Sequence, residues 1–287
     1  MVINEIVLFD DGMCQWKGTA REREWELYCG DAVSALRHMQ SESVHCIVTS
    51  PPYYSLRDYG VDGQIGLEDA VEDYVNSICD VARELHRVLR NDGLLFMNLG
   101  DTYYSGKGAS HGNDAKSSKR RFGLRPVDKS GGLGASVERK SAIGVPWRVA
   151  IQMMSQRWVL RSSIIWHRDK VLPEAVRDRP HRSYEYVFMF AKDRRYYFDR
   201  QPLLDKKIDE DVWNIKARPT GTEIQTAPYP DELVSRCLSI GCPENGVVLD
   251  PFAGSGTTMS VALKSGHPAI GIDINREFCN YILEHLE

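Results

Sequence analysis

At 287 residues, 42% of them hydrophobic, the chain can form one large α/β domain or two small ones with a full core. No apolar run approaches the ~20 residues of a membrane helix, and no charged-then-apolar leader is visible, so a membrane or secreted protein is not expected. The seven cysteines are odd in number and form no C-x-x-C pair. They fit buried thiols in a reducing compartment rather than a disulfide framework or a zinc site.

Taken in chain order, Val2 to Phe9 has strand character and Asp10-Asp11-Gly12 reads as a turn. Trp25 to Cys29 alternates as a strand and ends at Gly30-Asp31, where Asp31 can cap a helix beginning near Val33. An acid at that place can equally face a ligand crevice. His45-Cys46-Ile47-Val48 is apolar enough for a buried strand and runs into Thr49-Ser50-Pro51-Pro52-Tyr53-Tyr54. Two prolines fix φ and remove two donors, and the residue before a proline is pushed to extended backbone. Rigid acceptors therefore stand at a strand's carboxyl end, beside an aromatic ring, where open α/β sheets bind ligands. That arrangement suits a planar group carrying an NH2.

Ser55 to Ile65 is irregular and is expected to act as a lid. Val71, Tyr74, Val75, Ile78, Val81, Ala82, Leu85, Val88 and Leu89 recur at helical spacing, and Asn91-Asp92-Gly93 is expected to end that helix. Leu94 to Leu99 reads as a strand reaching the crevice at Gly100-Asp101. Residues 105–140 are rich in Gly, Ser, Lys and Arg and read as an insertion without a core. A helix is expected over Val145 to Met154, with Pro146 in its first turn. Trp158 to Trp166 and Tyr184 to Ala191 read as strands that pair antiparallel, since no helix separates them. Asp231 to Ile240 is a further helix candidate.

Val247-Val248-Leu249-Asp250 reads as a buried strand, followed by Pro251-Phe252-Ala253-Gly254-Ser255-Gly256-Thr257-Thr258 and a helix. Glycines there let backbone approach a ligand. The turn is not a phosphate-binding P-loop, because no Lys follows the second Gly. The next strand ends in Asp273, and an acid about 20 residues past such a turn typically holds ribose hydroxyls. A nucleoside-type cofactor site is expected.

Ser50-Pro51-Pro52-Tyr53 and Phe252-Ala253-Gly254-Ser255-Gly256-Thr257 together resemble the two signatures of the DNA amino-methyltransferases, in the order of their beta class. Cys29 to Ala32, Asn98 to Asp101 and Arg177 to Tyr186 match further stretches. The resemblance implies a Rossmann-like S-adenosylmethionine-dependent methyltransferase fold, α/β, with a seven-stranded mixed sheet, circularly permuted so that the late cofactor strand lies mid-sheet. It implies one catalytic domain over 1–287, with a DNA-recognition region about 167–227. Ser50, Pro51, Pro52 and Tyr53 would be catalytic. Asp31, Asp250, Phe252, Ala253, Gly254, Ser255, Gly256, Thr257 and Asp273 would hold S-adenosylmethionine, and no metal is implied.

The implied reaction is direct methyl transfer to the N4 of a flipped cytosine in duplex DNA. Adenine N6 is the nearest alternative. An RNA or protein-amide methyltransferase and a non-catalytic DNA-binding module are weaker alternatives. A nicotinamide oxidoreductase would explain the Gly-rich turn but not the Pro-Pro-Tyr stretch. Charge fits a DNA partner locally. Residues 101–150 carry ten cations and four anions, against three cations and eight anions in 231–287. Lys119, Arg120, Arg121 and Arg125 are the candidate phosphate contacts. A bacterial or phage cytoplasmic setting, or a nuclear one, is expected; monomer and homodimer both stay open.

Overall fold

The computed structural model describes residues 1–104, 137–168, 176–216 and 228–286. In chain order its elements are β1 (Val2–Leu8), β2 (Cys14–Ala20), β3 (Arg23–Cys29), α1 (Ala32–His38), β4 (Val44–Thr49), α2 (Val71–Val88) and β5 (Leu89–Leu99). After these come α3 (Val145–Ser155), β6 (Val159–His167), β7 (Tyr184–Ala191), α4 (Gln201–Leu204) and β8 (Val212–Asn214). The chain closes with α5 (Asp231–Gly241), β9 (Val248–Asp250), α6 (Thr257–Lys264), β10 (Ala269–Asp273) and α7 (Arg276–His285).

The strands form one mixed sheet in the order β1-β2-β3-β10-β9-β4-β5-β7-β6-β8. Its middle, β3-β10-β9-β4-β5, is parallel. Cys29, Asp273, Asp250, Thr49 and Leu99 therefore end on one edge, the edge where an α/β sheet binds ligands. The late strands β9 and β10 do lie mid-sheet. As expected, β6 and β7 pair antiparallel, and β7 also pairs antiparallel with β5.

All seven expected strands are present, but the described sheet has ten. Beyond these seven, β1, where Val2 to Phe9 had shown strand character, and β2 lie at one edge, antiparallel beside β3, and β8 lies at the other. The end of α2 also differs from expectation. The helix stops at Val88 and Leu89 already pairs with Val44. Asn91-Asp92-Gly93 thus belongs to the start of β5 rather than to a helix cap. At Gly93 a Cβ would meet the Leu89 side chain at 2.6 Å, so close packing, not a turn, requires that glycine.

Two apolar layers cover the sheet. One packs α1, α2 and α3 through Leu36, Ile78, Leu85 and Met153; the other packs α5, α6 and α7 through Leu238, Leu263 and Ile282. All nine apolar positions of the expected stripe from Val71 to Leu89 are buried. At about 25 cal/mol per Å² of buried apolar area, such faces dominate the stability of the layer. All seven cysteines are buried and free. No helix among the described residues is long and apolar enough to cross a membrane.

Candidate active site

Where the parallel strands end, a cavity of about 370 Å³ opens. Its walls bring together Ser50, Pro51, Pro52 and Tyr53 from the loop after β4, Asp31 from the cap of α1, Asp250 to Ser255 and Thr257 from the Gly-rich turn, and Asp273. Gly256 lies behind this wall. It starts α6 in a left-handed conformation, φ +78°, and a Cβ there would sit 3.0 Å from Ile282. Lys119, Arg120, Arg121 and Arg125 lie outside the described residues.

Asp31 serves as cap and wall at once: its carboxylate accepts from Ser34 N at 2.9 Å while the residue lines the cavity. The loop after Tyr54 covers the cavity with Leu56, Arg57, Tyr59, Gln64 and Ile65. It is braced internally, Tyr59 N donating to Gln64 Oε1 at 2.7 Å, and Tyr59 sets its ring edge-on to Phe278 of α7, centroids 5.9 Å apart.

Two carboxylates build the Gly-rich turn. Asp250 is buried and receives four donors: Thr49 Oγ1 at 2.7 Å and Phe252 N at 3.0 Å on one oxygen, Tyr229 OH at 2.9 Å and Thr258 Oγ1 at 2.7 Å on the other. Burial pushes its carboxyl up and these donors pull against the rise. Its hydrogen-bonding capacity is spent inward, tying β4, the turn, α6 and the segment before α5 together. Asp273 accepts from Gly254 N at 2.8 Å and from Asn275 N at 2.8 Å, and faces the cavity with its remaining lone pairs. Burial raises its carboxyl to about 7. Gly254 has φ +55°, and the nearest atom to a Cβ there would be Phe252 O at 3.9 Å, so its backbone stands open to the cavity.

The Pro-Pro-Tyr segment is equally fixed. Tyr74 OH donates to Pro52 O at 2.9 Å. Tyr53 OH donates to Glu185 Oε2 at 2.6 Å, with Asn98 Oδ1 at 3.0 Å, and Ser50 Oγ lies 3.4 Å from the same phenol. Glu185 is ion-paired with Arg168 at 3.0 Å. Burial and the Glu185 carboxylate push the Tyr53 phenol well above its usual range. The roles of Asn98, Glu185 and Arg168 were not foreseen in the sequence. Asn98 and Glu185 stand in stretches that matched the family, which was the only available signal.

Part of the expected DNA-facing stretch is core. β7 is an interior strand, and Trp213 is fully buried, its Nε1 donating to Asp209 O at 3.0 Å. The crevice edge instead receives Arg182, which donates to Asp101 O, and Arg179, stacked 3.7 Å from the Tyr103 ring centroid.

The family model of the N6/N4-type DNA methylases matches residues 44–284. The chain belongs to this family. Among curated relatives, the type II methyltransferase M.SmaI of Serratia marcescens is 39% identical over 273 residues, spanning 92% of this chain and 91% of the relative. Among solved structures, a putative DNA modification methylase from Thermus thermophilus, complexed with S-adenosyl-L-methionine, aligns with TM-score 0.60 at 25% identity, over 91% of this chain and 93% of that one. The PvuII cytosine-N4-specific DNA methyltransferase shares the fold, with TM-score 0.69 at 19% identity over 92% of this chain and 86% of that one.

The methyltransferase is thus S-adenosylmethionine-dependent and acts on DNA. Its cavity fits the cofactor. Gly254 leaves room for close backbone approach, Asp273 would offer acceptors to vicinal hydroxyls, and Phe252, Ile274 and Phe278 line the cavity with apolar surface that would suit a purine. Among the described residues no group of three or more His, Cys, Asp or Glu could hold a metal ion.

Proposed function

We propose that this methyltransferase modifies the exocyclic N4 of cytosine in duplex DNA, as the modification half of a type II restriction-modification pair. The observation that carries the reading is Ser50 Oγ at the cavity wall, beside Pro51 and Tyr53, in the place where a carboxylate would accept a stronger hydrogen bond. In the family the tendency links a leading Ser in this tetrapeptide to cytosine N4, with adenine-directed exceptions. The type II name of M.SmaI supports the biological setting.

An exocyclic nitrogen is a poor nucleophile because its lone pair conjugates with the ring. Ser50 Oγ and the Pro51 carbonyl accept its two N–H groups and favour a tetrahedral nitrogen with its lone pair free. S-adenosylmethionine, when bound, supplies an electrophilic sulfonium methyl. The protein's contribution is position and electrostatics. Pro51 and Pro52 hold the acceptors rigid, and Tyr53 offers its ring to the base. A base inside a duplex cannot reach these atoms, so flipping is required. Lys119, Arg120, Arg121 and Arg125, with the residues between 167 and 184, supply the phosphate and groove contacts in this reading.

Mass spectrometry of nucleosides from DNA incubated with enzyme and cofactor tests it. N4-methyldeoxycytidine is expected, and Ser50→Ala should cut its formation far more than it cuts cofactor binding. Accumulation of N6-methyldeoxyadenosine instead would overturn the cytosine assignment and leave the fold standing.

A further inference from the structure

We propose that Glu185 is a positioning residue for methyl transfer: acting through Tyr53, it turns the Ser50 hydroxyl so that its oxygen, not its hydrogen, meets the target amine. This rests on the reading that Ser50 accepts from an exocyclic NH2, and deepens it.

The difficulty it resolves is elementary. A hydroxyl carries one hydrogen as well as two lone pairs, and an NH2 that must be accepted is repelled by a hydroxyl presenting its hydrogen. A carboxylate has no such ambiguity. Ser50 therefore needs a partner that takes its hydrogen and cannot offer one in return.

Tyr53 is that partner because its own proton is committed elsewhere. Around the phenol oxygen stand Glu185 Oε2 at 2.6 Å, Asn98 Oδ1 at 3.0 Å and Ser50 Oγ at 3.4 Å. Glu185 and the Asn98 amide oxygen can only accept. The single phenol proton goes to the carboxylate, the shortest and the charged contact. What Tyr53 shows to Ser50 is lone pair. Ser50 then donates to Tyr53, and its own lone pairs face the cavity. The 3.4 Å spacing is long, as catalytic hydrogen bonds often are before substrate tightens them.

Each member of the chain is fixed. Glu185 is held by Arg168 at 3.0 Å and by Asn98 Nδ2 at 3.3 Å, and its side chain is 11% exposed. Asn98 Nδ2 also donates to Tyr186 O at 3.1 Å, which orients the amide. The Tyr53 ring lies against Gly100, where a Cβ would come within 2.5 Å of it. Burial beside Glu185 pushes the Tyr53 phenol up, so it keeps its proton as donor. A carboxylate two hydrogen bonds away also polarises Ser50 Oγ, since each bond in such a chain strengthens the next by roughly 10–30%. Glu185 thereby lends a serine part of the accepting power of an acid.

Single-turnover methyl transfer and calorimetric cofactor binding test this together, on whichever base amine the wild-type enzyme methylates. Tyr53→Phe keeps the ring and the Arg168–Glu185 pair but removes the hydroxyl. It should slow transfer about tenfold or more, the usual cost of losing a charge-assisted hydrogen bond, with cofactor affinity unchanged. Glu185→Gln should slow it similarly, and the double variant should be no slower than either single one. On a Ser50→Asp background, where the acceptor brings its own charge, Glu185→Gln should change the rate less than about twofold. Wild-type rates in Tyr53→Phe, multiplicative losses in the double variant, or an undiminished Glu185→Gln effect beside Asp at position 50 would each overturn the proposal. Should Glu185→Gln lose cofactor binding or fold, Tyr53→Phe decides alone. Methylation of adenine rather than cytosine would refute the target assignment and leave this test intact.

Discussion

Asp273 holds two backbone amides with one carboxylate, at Gly254 and Asn275, and so shapes the Gly-rich turn as well as lining the cavity where it was expected to hold ribose hydroxyls. Its folded-state value of about 7 lies above the ordinary 3.8, because burial outweighs the two amides. A raised acid stabilises the unliganded fold fully below about pH 4, and that contribution is lost as pH rises through about 7. Ribose hydroxyls need the ionised form, so cofactor affinity should fall as pH drops below about 7. Asp273→Ala should lose roughly 1.5–3 kcal/mol of cofactor binding and flatten that pH dependence. Calorimetric titration from about pH 5.5 to about pH 8, spanning the raised value, reads both; a variant with wild-type affinity and an unchanged profile would remove Asp273 from the site. Residues like Asp273 and Ser50 were legible because their chemistry is local in sequence: a strand end, a proline, a glycine turn. Glu185 was not. It meets Tyr53 across 132 residues of chain, and Asn98 meets it across 45. No periodicity or spacing carries such a pairing, which exists only once β5 and β7 lie side by side.

At the scale of the element, β5 delivers Asn98, Leu99 and Gly100 to the crevice edge, and the loop after β4 delivers Tyr53 onto them. The strands with apolar runs were readable because burial on both faces leaves a plain compositional trace. β2 was missed although Cys14, Trp16, Gly18 and Ala20 alternate with Gln15, Lys17 and Thr19, a strict period-two pattern with the apolar face buried between β1 and β3. β8, three residues long with Trp213 buried between exposed neighbours, is too short for any period. Gly100 reads in sequence as the crevice end of a strand, and its necessity is steric. A Cβ there would lie 2.5 Å from Tyr53 Cε2 and 3.0 Å from Cδ2. Gly100→Ala should therefore push the Tyr53 ring off its seat and slow methyl transfer by about tenfold, while cofactor affinity, set on the other side of the cavity, stays near wild type. An Ala variant with the wild-type transfer rate would show that the ring's seat does not matter to the chemistry.

Across the whole molecule, charge is divided along the sheet. The acidic segment 231–287 builds α5, β9, α6, β10 and α7, the half that carries the Gly-rich turn and Asp273. Arg168, Arg179, Arg182 and Lys140 belong to the opposite half, about β5, β7 and β6, and the run containing Lys119, Arg120 and Arg121 follows β5 in the sequence. A net charge of −4 thus says little about the surface that meets DNA, because phosphate binding depends on the local excess. Lys140 is paired with Asp178 at 2.6 Å and Arg168 with Glu185 at 3.0 Å. Each phosphate neutralised by a cation releases about 0.9 counterions, so the contacts can be counted from salt dependence. Replacing Lys119, Arg120 and Arg121 together by Ala should weaken DNA binding on every sequence and reduce the slope of log affinity against log salt by up to ~3. Cofactor affinity should not move, since the Gly-rich turn and Asp273 stand on the acidic half. Fluorescence anisotropy of labelled duplexes across a salt series provides the slopes. If the triple variant keeps the wild-type slope, those three side chains do not touch phosphate.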